Sequence, residues 1–291
     1  MNRSNIDTVF EEVLGSPAAS LSPLGGGSIS SAFKVLLRNG ESYFAKTDPQ
    51  YDDMFIKEAN GLNEIRSSST LRVPKTIFAD RRILILELLP VASPSNRNNF
   101  FEDFGRRFAR MHRFSDSTYG FFEDNFIGST PQKNTSRTSS WKEFYFSHRL
   151  LFQFTLAEKN GYVDGQLRTE FKNLEACIGT ILTDDGEPPV LLHGDLWGGN
   201  YLCLPNDEPA LIDPAVYYGH READLGMTKL FGGFSDKFYE AYNEEYPLRK
   251  DWEHRMNLYM LYHLLNHLNL FGEGYYPQVL RTMQVLVRKY R

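Results

Sequence analysis

The chain is poor in the features that mark secreted, membrane-spanning and nucleic-acid-binding proteins. It has two cysteines, Cys177 and Cys203, each inside an apolar stretch. That is too few for a disulfide framework, and both read as small buried hydrophobes in a reducing compartment. Positive charge is not in excess: 32 Lys and Arg face 37 Asp and Glu, a net charge of −5. Neither nucleic acid nor an anionic membrane surface would find a basic footprint to bind. No uninterrupted apolar run is long enough to span a bilayer. The start, Met1 to Asp7, turns acidic at Glu11-Glu12 and never builds the apolar core of a signal peptide. Internal repeats and low-complexity tracts are also missing. The expectation is a cytoplasmic globular protein, and 291 residues suffice for one large domain or two lobes.

What is present changes character along the chain. The first ninety residues read mostly as strands. Residues 32–37 and 42–46 flank Asn39-Gly40, the strongest short hairpin signal. Residues 75–79 and 82–87 form a second pair around the turn-like Asp80-Arg81. One helix interrupts them, over 53–66, with Phe55, Ala59, Leu62 and Ile65 along one stripe. After Leu89-Pro90 the pattern predicts helices over 100–114, 141–160, 166–181, 222–230, 252–270 and 277–289. The polar stretch 115–140, rich in Gly, Ser, Thr and Asn, reads as a long loop, either a functional lid or disordered. The division expected is a strand-rich lobe over 1–89 and a larger helical lobe over 90–291, hinged at Glu87 to Pro90.

One apolar strand breaks the helical half. Residues 189–192 lead into His193-Gly194-Asp195-Leu196-Trp197-Gly198-Gly199-Asn200, in which Asn200 follows Asp195 by five positions. That is the spacing of a kinase catalytic loop. Residues 201–204 and 209–212 flank Pro205-Asn206-Asp207-Glu208 and predict a hairpin. Antiparallel pairing would bring Asn200 and Asp213 together at its open end. An amide oxygen and a carboxylate there suit Mg2+ with bound nucleotide phosphates. Asp195, just outside, is placed to take or orient a proton from an attacking hydroxyl. Taken singly, an Asp after Gly is a turn residue and an Asn before a strand is a cap; the joint pattern carries the assignment.

The first half offers an independent check. Phosphoryl transfer needs a cation on the nucleotide phosphates, supplied in kinase folds by a strand lysine held by a helix glutamate. Lys46 ends a strand, and Glu58 sits on the inward stripe of the helix, where an unpaired carboxylate would be costly. The turn containing Gly25, Gly26, Gly27 and Ser28 would let backbone amides approach phosphate. The hinge residues Glu87, Leu88 and Leu89 would present backbone groups to adenine. The fold class expected is α+β: a bilobal, protein-kinase-like fold with a small antiparallel-sheet N-lobe carrying one main helix and a larger, mostly helical C-lobe.

The loop sequence HGDLWGGN resembles the signature of the fructosamine kinase (ketosamine-3-kinase) family. Residues 217–225 (YYGHREADL), 230–234 (LFGGF) and 262–269 (YHLLNHLN) fit the same family, and the likeness covers essentially the whole chain. The resemblance implies an aminoglycoside-phosphotransferase-like fold and ATP-dependent phosphorylation of the 3-hydroxyl of ketosamines, on glycated protein or on a small glycated amine. Such phosphorylation makes the adduct labile, so deglycation and protein repair are implied. Asp195 would be the catalytic base, Asn200 and Asp213 the Mg2+ ligands, and Lys46 with Glu87 to Leu89 the ATP contacts. Trp197 and His267 would face the substrate, the indole stacking on the sugar. Asp224 reads as a structural hydrogen-bonding residue. Several relatives carry a cysteine in the phosphate-loop turn where this chain has Ser28, so disulfide-linked dimers are not implied and a monomer is expected. The alternative is a kinase of the aminoglycoside or choline type, with the same ATP machinery and another acceptor.

Overall fold

The computed structural model describes residues 3–25, 30–183 and 186–291. In chain order, the elements begin with α1 (Arg3–Leu14), β1 (Ala18–Pro23), β2 (Ser31–Leu37), β3 (Ser42–Thr47), α2 (Met54–Ser67), β4 (Thr76–Ala79) and β5 (Ile83–Glu87). Then come α3 (Arg97–Met111), β6 (Asn125–Ile127), β7 (Thr130–Gln132), α4 (Trp141–Tyr145), a π-helical turn (Phe146–Leu151), α5 (Phe152–Lys159) and α6 (Gly165–Ile181). After β8 (Val190–Leu192) follow β9 (Tyr201–Leu204), β10 (Glu208–Leu211), β11 (Tyr217–Gly219), α7 (Glu222–Leu230), α8 (Asp236–Glu245), α9 (Trp252–Phe271) and α10 (Tyr276–Tyr290). Among the described residues no helix is long and apolar enough to cross a membrane. Two compact units result: Met1–Phe100 with Gly199–Pro214, and Phe101–Gly198 with Ala215–Arg291.

The first unit is an antiparallel sheet in the order β1-β2-β3-β5-β4. Alternation along the strands sends Val35, Leu37, Ala45, Ile83 and Ile85 to one face, where they bury against Val9 and Phe10 of α1. Neither α1 nor β1 was expected. The apolar spacing of Val9, Phe10, Val13 and Leu14 is short, and β1 lies between Pro17 and Pro23, which reads as broken structure until β2 is there to pair with it. The expected helix exists as α2, with Phe55, Ala59, Leu62 and Ile65 buried.

The hairpin β9–β10, more than a hundred residues further on, belongs to this unit. Leu204 and Ala210 bury against Leu89, and the Ala92 N–H donates to the Cys203 carbonyl at 2.8 Å. The Leu211 N–H donates to the Arg72 carbonyl at 2.8 Å, and the Ser95 N–H to Asp207 Oδ1 at 2.7 Å. These bonds fasten the hairpin beside the chain that leaves β5.

The second unit is helical around α9, which buries ten side chains and packs against α5, α7 and α10. The helix expected over 141–160 is divided into α4, the π-helical turn and α5. The widened turn carries Arg149, fully buried, which donates to the Lys133 carbonyl and to Asn134 Oδ1 and lies over the Tyr217 ring at 4.0 Å. The stretch 115–140 is neither a lid nor disordered. It contains the hairpin β6–β7 and buries Asn125, Gln132 and Asn134, whose amides bond to one another and to the Val216 and Ala215 carbonyls. Its polarity serves internal pairing rather than water. Helix α8 was also unexpected: its buried Phe238, Ala241 and Tyr242 are spaced among charges that mask the stripe.

Candidate active site

Lys46 stands on β3 opposite Leu84 of β5, and its ammonium is nearly enclosed. It donates to Glu58 Oε1 of α2 at 2.8 Å and to Asp213 Oδ1 at 2.9 Å. The expected Lys46–Glu58 pair is therefore present, and Asp213 joins it. Burial alone would pull the Lys46 pKa down, but the Asp213 and Glu58 carboxylates more than offset this and raise it. Burial pushes the Glu58 pKa upward, and the Asp213 carboxylate adds to this against the pull of the Lys46 ammonium. Two carboxylates on one buried cation leave a surplus negative charge beside the partly exposed Asp213 side chain.

Asp213 is held in this position by the hairpin. Tyr201 pairs with Leu211, and the Ile212 N–H donates to the Asn200 carbonyl at 3.1 Å. Asn200 and Asp213 thus flank the open end, as the pairing argument required. Asp213 has a φ of 55°, left-handed backbone uncommon outside glycine, which marks a conformation held by its surroundings. Among the described residues no three His, Cys, Asp or Glu side chains form a metal cage. An amide and a carboxylate leave most of a coordination shell to other oxygens, which is how Mg2+ is held with phosphates.

The hinge residues divide. Glu87 turns its side chain to the sheet face opposite Lys46, since its cross-strand partner is Tyr43. There it pairs with Arg72 and accepts from the Lys75 N–H at 3.0 Å, while its own N–H donates to the Lys75 carbonyl at 2.9 Å. Leu89 is buried under the hairpin. The backbone N–H groups of Leu88 and Leu89 make no bond to other backbone among the described residues. Gly26, Gly27 and Ser28 lie outside the described residues.

In the second unit the loop at Asp195 is clamped from behind. The buried carboxylate of Asp224, in the first turn of α7, accepts the His193 N–H at 2.7 Å and the Gly194 N–H at 2.8 Å. The Ala215 N–H returns a bond to the His193 carbonyl at 2.8 Å. Gly194 has a φ of 82°, and a Cβ there would stand 2.0 Å from the Ala215 carbonyl oxygen, so only glycine fits. The Asp195 N–H in turn points at His193 Nδ1, 3.2 Å away. Asp224 is thus the structural hydrogen-bonding residue that was expected.

Asp224 has a partner that sequence reasoning missed. His112, near the end of α3, places Nε2 3.2 Å from Asp224 Oδ2 and Nδ1 2.7 Å from the Tyr242 hydroxyl. Burial lowers its pKa, so the ring is neutral near pH 7. The carboxylate can only accept, so Nε2 carries the proton and Nδ1 accepts from Tyr242. A signal existed: Phe104, Phe108 and His112 recur every four residues on one helix face.

Trp197 and His267 are linked through a third ring. Phe231 meets Trp197 at a centroid distance of 6.3 Å and His267 at 4.9 Å. His267 Nδ1 lies 2.8 Å from the His263 carbonyl, to which it must donate, and burial lowers its pKa. The neutral ring therefore keeps Nε2 as an acceptor.

The profile of the fructosamine kinase family matches residues 2–289. A chloroplastic protein-ribulosamine 3-kinase of Arabidopsis thaliana is 41% identical over 260 residues, covering 87% of this chain and 78% of that protein. Its counterpart in Oryza sativa subsp. japonica is 39% identical over 263 residues, 88% of this chain and 75% of that protein. Among solved structures, a fructosamine-3-kinase candidate from Thermobifida fusca superposes with a TM-score of 0.87 at 32% identity, over 99% of this chain and 100% of that one. The ADP-bound aminoglycoside phosphotransferase APH(2'')-Ib superposes with a TM-score of 0.65 at 14% identity, over 99% and 97% of the two chains, a likeness of fold alone. The architecture is accordingly the bilobal α+β, protein-kinase-like one that the strand-then-helix pattern led us to expect. The chain belongs to the fructosamine kinase family.

Proposed function

We propose that this protein transfers the γ-phosphoryl group of ATP to the 3-hydroxyl of ketosamines, the sugar adducts of amines, and so supports deglycation. The observation that carries the phosphoryl-transfer half is the Glu58–Lys46–Asp213 bridge. The acceptor half is supported by family membership and by the ribulosamine kinases it resembles.

In this reading residues 1–89, with the hairpin fastened to them, form the nucleotide-binding lobe, and the rest of residues 90–291 the catalytic and substrate lobe. Lys46, oriented by Glu58, binds the nucleotide phosphates. Leu88 and Leu89 offer backbone N–H groups to adenine, with Glu87 anchoring the segment through Arg72. Gly26, Gly27 and Ser28 are assigned to phosphate contact from their sequence alone. Asn200 and Asp213 would hold Mg2+, which when bound neutralises charge on the phosphates. Asp195 orients the substrate hydroxyl and accepts its proton as the oxygen bonds to phosphorus and ADP departs. Asp224 keeps the loop in the conformation that presents Asp195. Trp197 supplies a flat face for the sugar, and His267 Nε2 accepts from one of its hydroxyls. Two free, buried thiols fit a reducing, cytoplasmic setting.

The test is product analysis after incubation with ATP, magnesium and a panel of fructose and ribose adducts of amines, with an aminoglycoside and choline alongside. Mass spectrometry and NMR should report phosphate on the sugar O3 of the adducts. Phosphorylation of the aminoglycoside or choline in preference to every adduct would overturn the acceptor assignment.

A further inference from the structure

Five aromatic side chains run in an unbroken row from the loop of Asp195 along the end of α9. Beyond Trp197, Phe231 and His267, the row continues to Phe271, 5.3 Å from His267, and to Tyr275, 5.1 Å from His267 and 6.2 Å from Phe271. Trp197, Phe231 and Phe271 are 40%, 41% and 50% exposed. Large rings exposed singly are ordinary, whereas a contiguous, partly exposed row that begins two residues past Asp195 has the character of a ligand surface.

The local backbone is built to make the row. Gly232 and Gly233 both have positive φ, 70° and 98°, and a Cβ on Gly233 would stand 3.2 Å from the Gly198 Cα. That contact seats the Gly232-Gly233 turn on the loop and sets Phe231 beside Trp197, which gives the LFGGF segment a purpose that phosphoryl transfer does not. His267 and Phe271 are one helical turn apart on a shared face. The chain then folds through Glu273–Tyr275, bringing the Tyr275 ring back to the row.

Charge narrows the occupant. The segments that supply the rings, 195–200, 230–235 and 267–275, contain Asp195 and Glu273 and no lysine or arginine, and the adjoining Lys229 lies over the Tyr239 and Trp252 rings instead. His267, held neutral by burial, adds no positive charge. Electron-rich ring faces carried on segments of net negative charge attract a cation on an alkyl chain and disfavour a carboxylate.

We propose that this row is the subsite for the amine-derived arm of the substrate, and that it selects an alkyl arm carrying positive charge over one carrying a carboxylate. The inference rests on the ketosamine reading: the sugar lies toward Trp197, and the protonated substituted nitrogen with its alkyl chain extends over Phe231, His267, Phe271 and Tyr275.

The test uses fructose adducts of methylamine, hexylamine, 1,6-diaminohexane and 6-aminohexanoate. Turnover of the methylamine adduct checks the ketosamine reading by itself. If no adduct turns over, that reading falls and takes the subsite with it. The row predicts kcat/KM in the order diaminohexane adduct, hexylamine adduct, aminohexanoate adduct, with about tenfold between the first and last. Phe271→Ala and Tyr275→Ala should each lower the hexylamine-to-methylamine ratio of kcat/KM about fivefold, mainly through KM. Phe271→Leu, which keeps apolar volume without the ring, should retain much of that ratio and lose preference for the ammonium-ended arm. Indifference to the arm in the unmodified protein, or ratios unmoved in all three variants, would refute the subsite.

Discussion

Asp213 and Asp224 are close in sequence, yet they live in opposite circumstances. Asp224 is 1% exposed and every direction around it is answered: two backbone N–H groups and the His112 imidazole donate to it. Asp213 has a 43% exposed side chain, left-handed backbone and a half share of the Lys46 ammonium. A carboxylate whose hydrogen bonds are complete holds structure. One left with surplus charge and open space is poised for a ligand. The same contrast separates Glu58, which orients a lysine, from Glu87, which is spent on Arg72 and the backbone of Lys75.

The largest effect expected from breaking this division is on transfer itself. Asp195→Asn should lower kcat by about 10²- to 10⁴-fold while magnesium–ATP affinity, read by calorimetry, stays within a few-fold. Near-normal turnover would remove Asp195 from its role. Lys46→Met should come next: it strands two carboxylates, costing about 3–5 kcal/mol of stability as well as nucleotide affinity. Urea titration with and without ATP separates the two losses.

The comparison is sharpest in the paired variants Asp224→Ala and Asp213→Ala. Removing Asp224 leaves two buried N–H groups unanswered and should cost about 2–5 kcal/mol in denaturant unfolding. Removing Asp213 leaves Lys46 and Glu58 as a balanced pair, so stability should hold or rise while magnesium-dependent ATP binding is lost. Equal destabilisation by both would erase the distinction between the two carboxylates.

The smallest effect is in pH. Burial depresses the His263 pKa to about 3, and burial also lowers those of His112 and His220. A histidine whose folded pKa is depressed contributes no penalty above its unfolded value near 6.5. Below that pH the unfolded chain takes up the proton first, so stability falls as pH drops. For His263 the loss is about 1 kcal/mol by pH 5.5. His263→Gln should flatten the stability curve between pH 6.5 and 4.5, and an unchanged slope would show that another group titrates there.

Legibility in the sequence followed the range of the interactions. The Asp195–Asn200 spacing, the hairpin that ends at Asp213, the Asn39-Gly40 turn and the inward Glu58 on α2 are patterns within a few residues, and each was readable. Helices α1 and α8 were missed because their stripes are short and interleaved with charge. Strand β1 was missed because Pro17 just before it and Pro23 at its end deny it any signal of its own. The polar stretch 115–140 was misread as a lid or disorder because composition cannot distinguish an amide that bonds to water from one that bonds to Asn125, Arg149 or the Val216 carbonyl.

What the sequence determined by itself was the inventory of chemistry and its local spacing, together with family membership. Periodicity, turn residues and short motifs are set by neighbours in the chain. Only the tertiary structure decided which charges are complete and which are left over. Lys46 meets Asp213 from 167 residues away, His112 completes Asp224 from 112 residues away, and the ring row draws on three separate segments. Those partners are brought together by burial of apolar surface elsewhere, and burial is a property of the assembled fold that no local window of sequence contains.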